Sequence, residues 1–477
     1  MLIRNLKFKI YCGVIDVNKI IKNCNIVNAD KTFISDIYIE DGIIKLIEEN
    51  INIPDIEIID AQGKYVIPGG VDVHTHLNLD VGIARAQDDF YTGTVAAACG
   101  GTTTIVDHMG FGPKGCNLKH QVDVYHGYAQ GKAVIDYSFH GVFQHLNKDI
   151  LNEIKSIIDD EGIPSFKAYF TYGFKMEDCE VLQILRELKE QGGLLTVHPE
   201  NDSVVNFLSN EYFNAGKIAP VYHERSRPAQ CEADVINRAI LLADMAGNAP
   251  LYIVHLSNEL GLQYIKMAQN RGQRVLAETC PQYLFLDDSM YEKPNLEGLN
   301  YICSPPIRNR SNQMPLWNGM IDGSISTFAT DHCPFSSDLR IKMASKDFRK
   351  CPGGLPGIEL RLSLLFTEGV KKNKITMNKF VDLCSTKPAK IMGLYPKKGI
   401  IAVGSDADIV IFDPDKESTA THANLHENVD YTPYEGIKLQ GAPTLTMLRG
   451  EVIVKDNVFI GRKGSGQFIK RSKFNYC

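Results

Sequence analysis

The side chains with most chemistry to offer are four histidines, a lysine and an aspartate, spread widely along the chain. His74-Thr75-His76 places two imidazoles two residues apart. On an extended strand they fall on the same side and make a two-toothed clamp for a metal ion. His198 in LLTVHPE, His255 in YIVHLS and Asp331 in FATDHC add three more residues of ligand type. A catalytic zinc typically keeps about three protein ligands and one open position, so this set exceeds one such site and points to two metal ions. Two dications about 3.5–4 Å apart repel each other and call for an anion between them.

Lys167 lies in SFKAYFTY, residues 165–172, among Phe166, Ala168, Tyr169 and Phe170. An ammonium in an apolar strand needs an ion-pair partner, a route to solvent, a shifted pKa or a chemical modification. Beside two divalent cations it would be repelled, so the amine there would be neutral. A neutral amine adds to carbon dioxide to give a carbamate, a carboxylate on a long stem that could bridge two metals. His332 follows Asp331 directly and faces the other side of its strand, which assigns it to packing or to orienting a ligand. His108, after Asp107, and His140 read the same way. Ser304, in CSPPIR, reads either as a loop serine or as a substrate contact.

What positions these residues is a repeated pattern. Apolar strand-like runs recur in KYVIPGGVDVHTH, GTTTIVDH, AVIDYSFHGV, SFKAYF, GLLTVHPE, PLYIVHLS, RVLAETCP and STFATDHC. Between them lie segments such as DCEVLQILRELKEQG and CEADVINRAILLADMAG, with helical apolar spacing. Eight strands alternating with helices predict a (β/α)8 barrel, whose chemistry sits where the strands end. A doubly wound sheet is disfavoured because no GxGxxG turn follows the first strand. Residues 1–66 and 398–460 are β-rich, with turns at Asp41-Gly42 and Arg449-Gly450. They are expected to form one small β-sandwich from both chain ends, around a barrel spanning 67–397.

Composition bounds the remainder. The chain has 477 residues, 44% hydrophobic and 23% charged, which is ordinary globular usage on a scale above one simple core. A formal net charge of −6 argues against a nucleic-acid binder. No stretch approaches the roughly 20 apolar residues of a membrane span, and MLIRNLKFKIYCGVIDV is a poor signal peptide. The twelve cysteines form no CxxC pair, so a reduced, cytoplasmic setting is expected. The tail 461–477 is basic and reads as solvated.

GGVDVHTH, SFKAYFTY, TVHPEN, YIVHLS, ETCPQYL, CSPPIR and TDHCPF resemble the signature segments of cyclic amidohydrolases of the hydantoinase/dihydropyrimidinase branch. The similarity runs from about residue 20 to beyond 455, and FYTGTVAAACGGTTTIVDHMGFGPKG is most similar to bacterial D-phenylhydantoinases. The resemblance implies a homotetrameric metal-dependent hydrolase without membrane or nucleic-acid partners. His74, His76 and Asp331 would hold one divalent metal, zinc or else manganese or iron. His198 and His255 would hold the other, and a carboxylated Lys167 would bridge them. It also implies attack of a metal-bridging hydroxide on a cyclic ureide, with Asp331 moving the proton and Tyr172 binding the substrate carbonyl. The product would be an N-carbamoyl amino acid. Ser304 would contact the ring imide through its backbone. In CPGGLPGIE, Gly353 stands where the family usually has asparagine, which implies weaker or broader substrate recognition.

The same resemblance leaves a dihydropyrimidinase acting on dihydrouracil or dihydrothymine as the alternative, and then an allantoinase, which usually lacks a tyrosine at position 172. A dihydroorotase typically carries an arginine soon after its HxH pair, whereas here Leu77-Asn78 follow His76 and Arg85 is the next basic residue. A non-catalytic scaffold of the same fold would have lost metal ligands, and every ligand type is present here.

Overall fold

The computed structural model describes residues 18–475, so the opening stretch MLIRNLKFKIYCGVIDV, read as a poor signal peptide, lies outside the described residues. Eight parallel strands form the barrel: β1 Gly70–Thr75, β2 Thr102–His108, β3 Asp136–Val142, β4 Ser165–Tyr169, β5 Leu194–His198, β6 Leu251–Ile253, β7 Val275–Thr279 and β8 Thr327–Phe328. Each pairs with its neighbour in chain order. The last gap closes just beyond β8, where Asp331 N donates to His74 O and His76 N donates to His332 O, both at 2.9 Å. Three site residues, His74, His76 and Asp331, are thus also the seam of the barrel.

The helices pack outside as their spacing predicts. Asp178–Gln191 buries Val181, Ile184, Leu185 and Leu188, one apolar stripe laid against the sheet. Each such side chain contributes about 1.5–3 kcal/mol on burial. A Glu177/Glu180 capping box starts this helix, and Gly192 at φ 76° ends it.

The two chain ends meet in one sheet of nine strands. Tyr65–Pro68 pairs antiparallel with Ile409–Thr419 and parallel with Lys19–Val27, so the first and last thirds of the chain share a ladder. The run KYVIPGGVDVHTH, read as one strand, divides at Gly69: Tyr65–Pro68 belongs to this sheet and β1 to the barrel. Both predicted tight turns form, with positive φ at Asp41 and Gly42 and at Arg449 and Gly450. Sheet and barrel are pinned together by Lys398, whose Nζ lies 2.6 Å from Asp136 on β3, 2.7 Å from Asp408 and 2.9 Å from Asp406.

The expectation of a solvated basic tail is corrected in part: Arg462, Lys463, Lys470 and Lys473 are exposed, but the segment is docked and Arg471 is buried. Residues 467–474 run back along the barrel, with backbone hydrogen bonds from Tyr137 N to Gln467 O, Ile469 N to Tyr137 O and Arg471 N to Gly162 O. Ile469, Arg471 and Phe474 are buried. Counting charges hid the Phe468, Ile469 and Phe474 anchors that bring the segment down. Among the described residues no helix is long and apolar enough to cross a membrane, and the ten cysteines there are all free.

Candidate active site

His74 and His76 leave β1 with their Nε2 atoms 3.2 Å apart, and Asp331 Oδ1 lies 3.1 Å from each. Three electron-rich atoms therefore converge on one point in a buried setting. Glu278 on β7 accepts the Nδ1 proton of His74, which leaves the Nε2 lone pair facing the centre. Burial would lower the pKa of His74, but Glu278 and Asp331 outweigh it and raise it to about 9. Their pull is what a cation at this point would feel. Burial pushes Asp331 up, yet His74 and His76 hold it well below the usual carboxylate range, so it is an anion at neutral pH.

A second pair of donors lies beside the first. His198, at the end of β5, presents Nδ1 at 2.9 Å from Nε2 of His255, just beyond β6. The other nitrogen of His198 is bound by Glu200 at 2.8 Å, and Glu200 is held in turn by Arg227 at 2.7 Å. This repeats the logic of Glu278 and His74: a carboxylate fixes the outer nitrogen and leaves the inner one a lone pair. The rings of His74 and His255 are 5.4 Å apart, so the two groups share one cavity floor. Nδ1 of His76, Nδ1 of His255 and both ring nitrogens of His108 are buried without a partner. Such groups cost about 1–3 kcal/mol each when left unmet. The convergent N,N,O donor set of His74, His76 and Asp331 fits a divalent metal ion of the zinc, manganese or iron kind.

Lys167 on β4 is buried at the same depth, and among the described residues no carboxylate pairs with it. Its Nζ lies over the Tyr169 ring at 5.3 Å. Burial pulls its pKa down to about 8, against the opposing pull of Glu278 and Asp331. Near neutral pH a fraction of the amine is therefore uncharged and nucleophilic.

Tyr172 is 41% exposed at the opening, its ring 5.2 Å from that of His198, and it meets the Ser304 side chain. Gly353 lies against Ser304: a Cβ built on it would be 3.8 Å from Ser304 Oγ and 3.8 Å from Cys303 Cα. The three residues expected to contact substrate are thus together at one rim. Backbone strain gathers here too, with φ at 72° for Tyr172, 39° for His255 and 55° for Asp331. Asp and His enter the left-handed region more readily than most residues, but Tyr172 does not, and strain of this sort clusters at functional sites.

His332 points away, as its place in the strand required. Its Nε2 bonds Asp88 at 2.9 Å and its Nδ1 accepts from Gly357 N at 3.2 Å, tying the strand to the loop that carries Gly353. Asp107 holds the end of β1 through Thr75 Oγ1 at 2.6 Å and Leu77 N at 2.9 Å. Glu278 and Glu200 were missed by sequence reasoning. Their signals were present: a glutamate inside the apolar run VLAET, and one two residues after His198. Cys99, Glu359 and His426 also converge, but both oxygens of Glu359 are already taken by His426, at 2.6 and 2.9 Å, which marks a structural pair.

The amidohydrolase family model matches residues 65–453. Over 457 residues, 95% of this chain and 98% of the relative, the sequence is 54% identical to the D-phenylhydantoinase of Escherichia coli. The fold is similar to that of a dihydropyrimidinase from Brevibacillus agri, with a TM-score of 0.95 and 41% identity over 97% of this chain and 100% of the other. It is also similar to the L-hydantoinase (dihydropyrimidinase) of Arthrobacter aurescens, with a TM-score of 0.85 and 31% identity over 95% of this chain and 100% of that one.

Proposed function

The chain belongs to the amidohydrolase family, and we propose that it opens cyclic ureides by hydrolysis, foremost 5-substituted hydantoins of the D-phenylhydantoin kind, to N-carbamoyl amino acids. The observation that carries the reading is the convergence of His74 Nε2, His76 Nε2 and Asp331 Oδ1 beside an unpaired Lys167. His74, His76 and Asp331 would hold one divalent ion and His198 with His255 a second, with carboxylated Lys167 between them. When bound, the ions make water acidic enough to act as a nucleophile near neutral pH and supply positive charge for the developing oxyanion.

The chain's own groups do the rest. The neutral amine of Lys167 forms its N–C bond to carbon dioxide and loses a proton, leaving a carbamate anion. Asp331, ionised and fixed between two imidazoles, takes a proton from the attacking water and delivers it to the ring nitrogen as the C–N bond breaks. The Tyr172 hydroxyl, at the rim, donates to the carbonyl oxygen as that carbon becomes tetrahedral. Ser304 and Gly353 offer backbone groups to the imide edge of the ring. A homotetramer and a cytoplasmic setting are carried over as part of the same proposal.

The test is a ring-opening assay across hydantoin, 5-phenylhydantoin, dihydrouracil and allantoin, with divalent metal measured on the same sample. Fastest turnover of 5-phenylhydantoin with about two metals per chain is the expected result. Preference for dihydrouracil would move the chain to the dihydropyrimidinase side, and a metal-free, inactive preparation grown with bicarbonate and metal would overturn the reading.

A further inference from the structure

Arg471 is buried inside the lower part of the barrel with no carboxylate as a partner among the described ion pairs. It is held by neutral acceptors: Nε by Ser138 Oγ at 2.9 Å, Nη1 by Met392 O at 3.4 Å, and Nη2 by Phe139 O at 2.5 Å and Ser165 Oγ at 2.7 Å. The Ser165 contact continues upward. Ser165 Oγ lies 2.7 Å from Nδ1 of His140, and Nε2 of His140 lies 3.0 Å from the carbonyl of Val73, the residue before His74.

With the buried His140 neutral, every proton in this chain of contacts has one allowed place. A guanidinium only donates and a carbonyl only accepts. Arg471 therefore donates to Ser165, Ser165 donates to Nδ1 of His140, and Nε2–H of His140 donates to Val73 O. His140 is thereby kept in one neutral tautomer, with its ring stacked at 4.1 Å on His108, which itself lies 4.3 Å from the His74 ring.

We infer that the C-terminal segment is a positioning part of the active site: Arg471, acting through Ser165 and His140, fixes the β1 backbone from which the His74–His76 clamp projects. Arg471 touches neither substrate nor metal ligand, and its role is to set the geometry of residues that do. The tail's other anchors are independent of this one. Phe468 packs on Tyr137 and Phe139, at 5.8 and 5.4 Å between rings, and the backbone bonds of 467–474 do not involve the guanidinium. Removing the guanidinium should therefore leave the segment in place while breaking the relay.

The inference rests on the metal-clamp reading, and the experiment separates the two. Metal-free protein is titrated with zinc against a competing chelator for wild type, Arg471→Met, Arg471→Lys, Ser165→Ala, the Arg471→Met/Ser165→Ala double variant and His74→Ala, with thermal melting on each. Arg471→Met and Ser165→Ala are each expected to weaken zinc binding by about tenfold, the scale of losses when groups that orient metal ligands are removed. The double variant should be no worse than the weaker single one, because the two act in series. Arg471→Lys, which keeps a donor, should recover part of the loss. A wild-type zinc constant in Arg471→Met, whatever its melting temperature, makes the segment merely structural and overturns the inference. If Arg471→Met does not fold, Ser165→Ala decides alone. If His74→Ala binds zinc as wild type does, the clamp reading is what fails.

Discussion

Lys167 and Lys398 are buried to the same degree, at 1% and 2% exposure, and their surroundings could hardly differ more. Lys398 has three carboxylates within 2.9 Å, from Asp136, Asp408 and Asp406. Burial works against its charge, but those carboxylates outweigh it and drive its pKa above the usual lysine value. Lys167 has none in ion-pairing reach, so burial dominates and its pKa falls to about 8. Desolvation is common to both, and local compensation decides the outcome. One lysine becomes a permanently charged strut between barrel and sheet, the other an amine that can lose its proton and react. Burial alone marks neither role.

Exchanging the two defects should produce opposite signatures. Lys167→Ala is expected to abolish measurable ring opening and to lower bound divalent metal while leaving denaturant stability of the metal-free protein unchanged or slightly higher, since it removes an unpaired buried amine. Normal turnover in that variant would sink the mechanism. Lys398→Met should do the reverse. Leaving buried carboxylates uncompensated costs about 3–5 kcal/mol, read as a lower denaturation midpoint, while turnover per folded molecule stays within about twofold. A stability loss for Lys167→Ala as large as that for Lys398→Met would erase the contrast.

Two further measurements sharpen it on the Lys167 side. Glu278→Gln keeps the shape but weakens the acceptor that fixes the His74 proton on Nδ1, and metal affinity should fall about 10- to 100-fold, measured by chelator competition. Carboxylation of Lys167 should also depend on pH in a definite direction. Below a pKa of about 8 the neutral fraction of the amine drops tenfold per unit. At fixed dissolved carbon dioxide, labelled carbamate on the metal-free protein should therefore form about tenfold more slowly at pH 6 than at pH 7. A rate independent of pH would mean that the amine is already neutral and that Glu278 and Asp331 exert no hold on it.

The contrast also explains what could be read from the sequence. The barrel was legible because buried parallel strands are apolar throughout, and any polar residue within one is conspicuous: His74, His76, Lys167, His198 and His255 announce themselves that way. Asp331 lies just past a strand of only two described residues, yet its segment resembles the family closely enough to find it. Glu278 and Glu200 were visible but not weighed, because a carboxylate that orients a ligand has no spacing rule of its own. Lys398 and Arg471 were not legible at all. Lys398 has Asp406 and Asp408 nearby in sequence, but its barrel partner Asp136 is 262 positions away and the Ser165 partner of Arg471 is 306 away, and only the fold brings such residues together. The tail misled because its charges outnumber its apolar anchors, and Phe468, Ile469 and Phe474 are enough to dock it while Arg462, Lys463, Lys470 and Lys473 stay exposed.

The smallest effect is expected at Gly353, on the rim between these extremes. A Cβ there meets nothing closer than 3.8 Å, and its φ is not in the left-handed range, so the backbone accepts a residue with a side chain. Glycine therefore is not demanded by the fold at this position, and under the proposed function its flexibility in a loop beside Ser304 would act on substrate binding. Gly353→Asn should stiffen the loop, raising stability by about 0.4–1 kcal/mol through the unfolded chain. It should lower KM for 5-phenylhydantoin a few-fold, with kcat within about twofold. The split matters, because this residue lies against Cys303 and Ser304 and is expected to change how the ring is held and not how the bond is broken. Unchanged constants, with the stability gain present, would show that the backbone carbonyl alone does the recognising. A fall in kcat would give the loop a part in the chemistry as well as in binding.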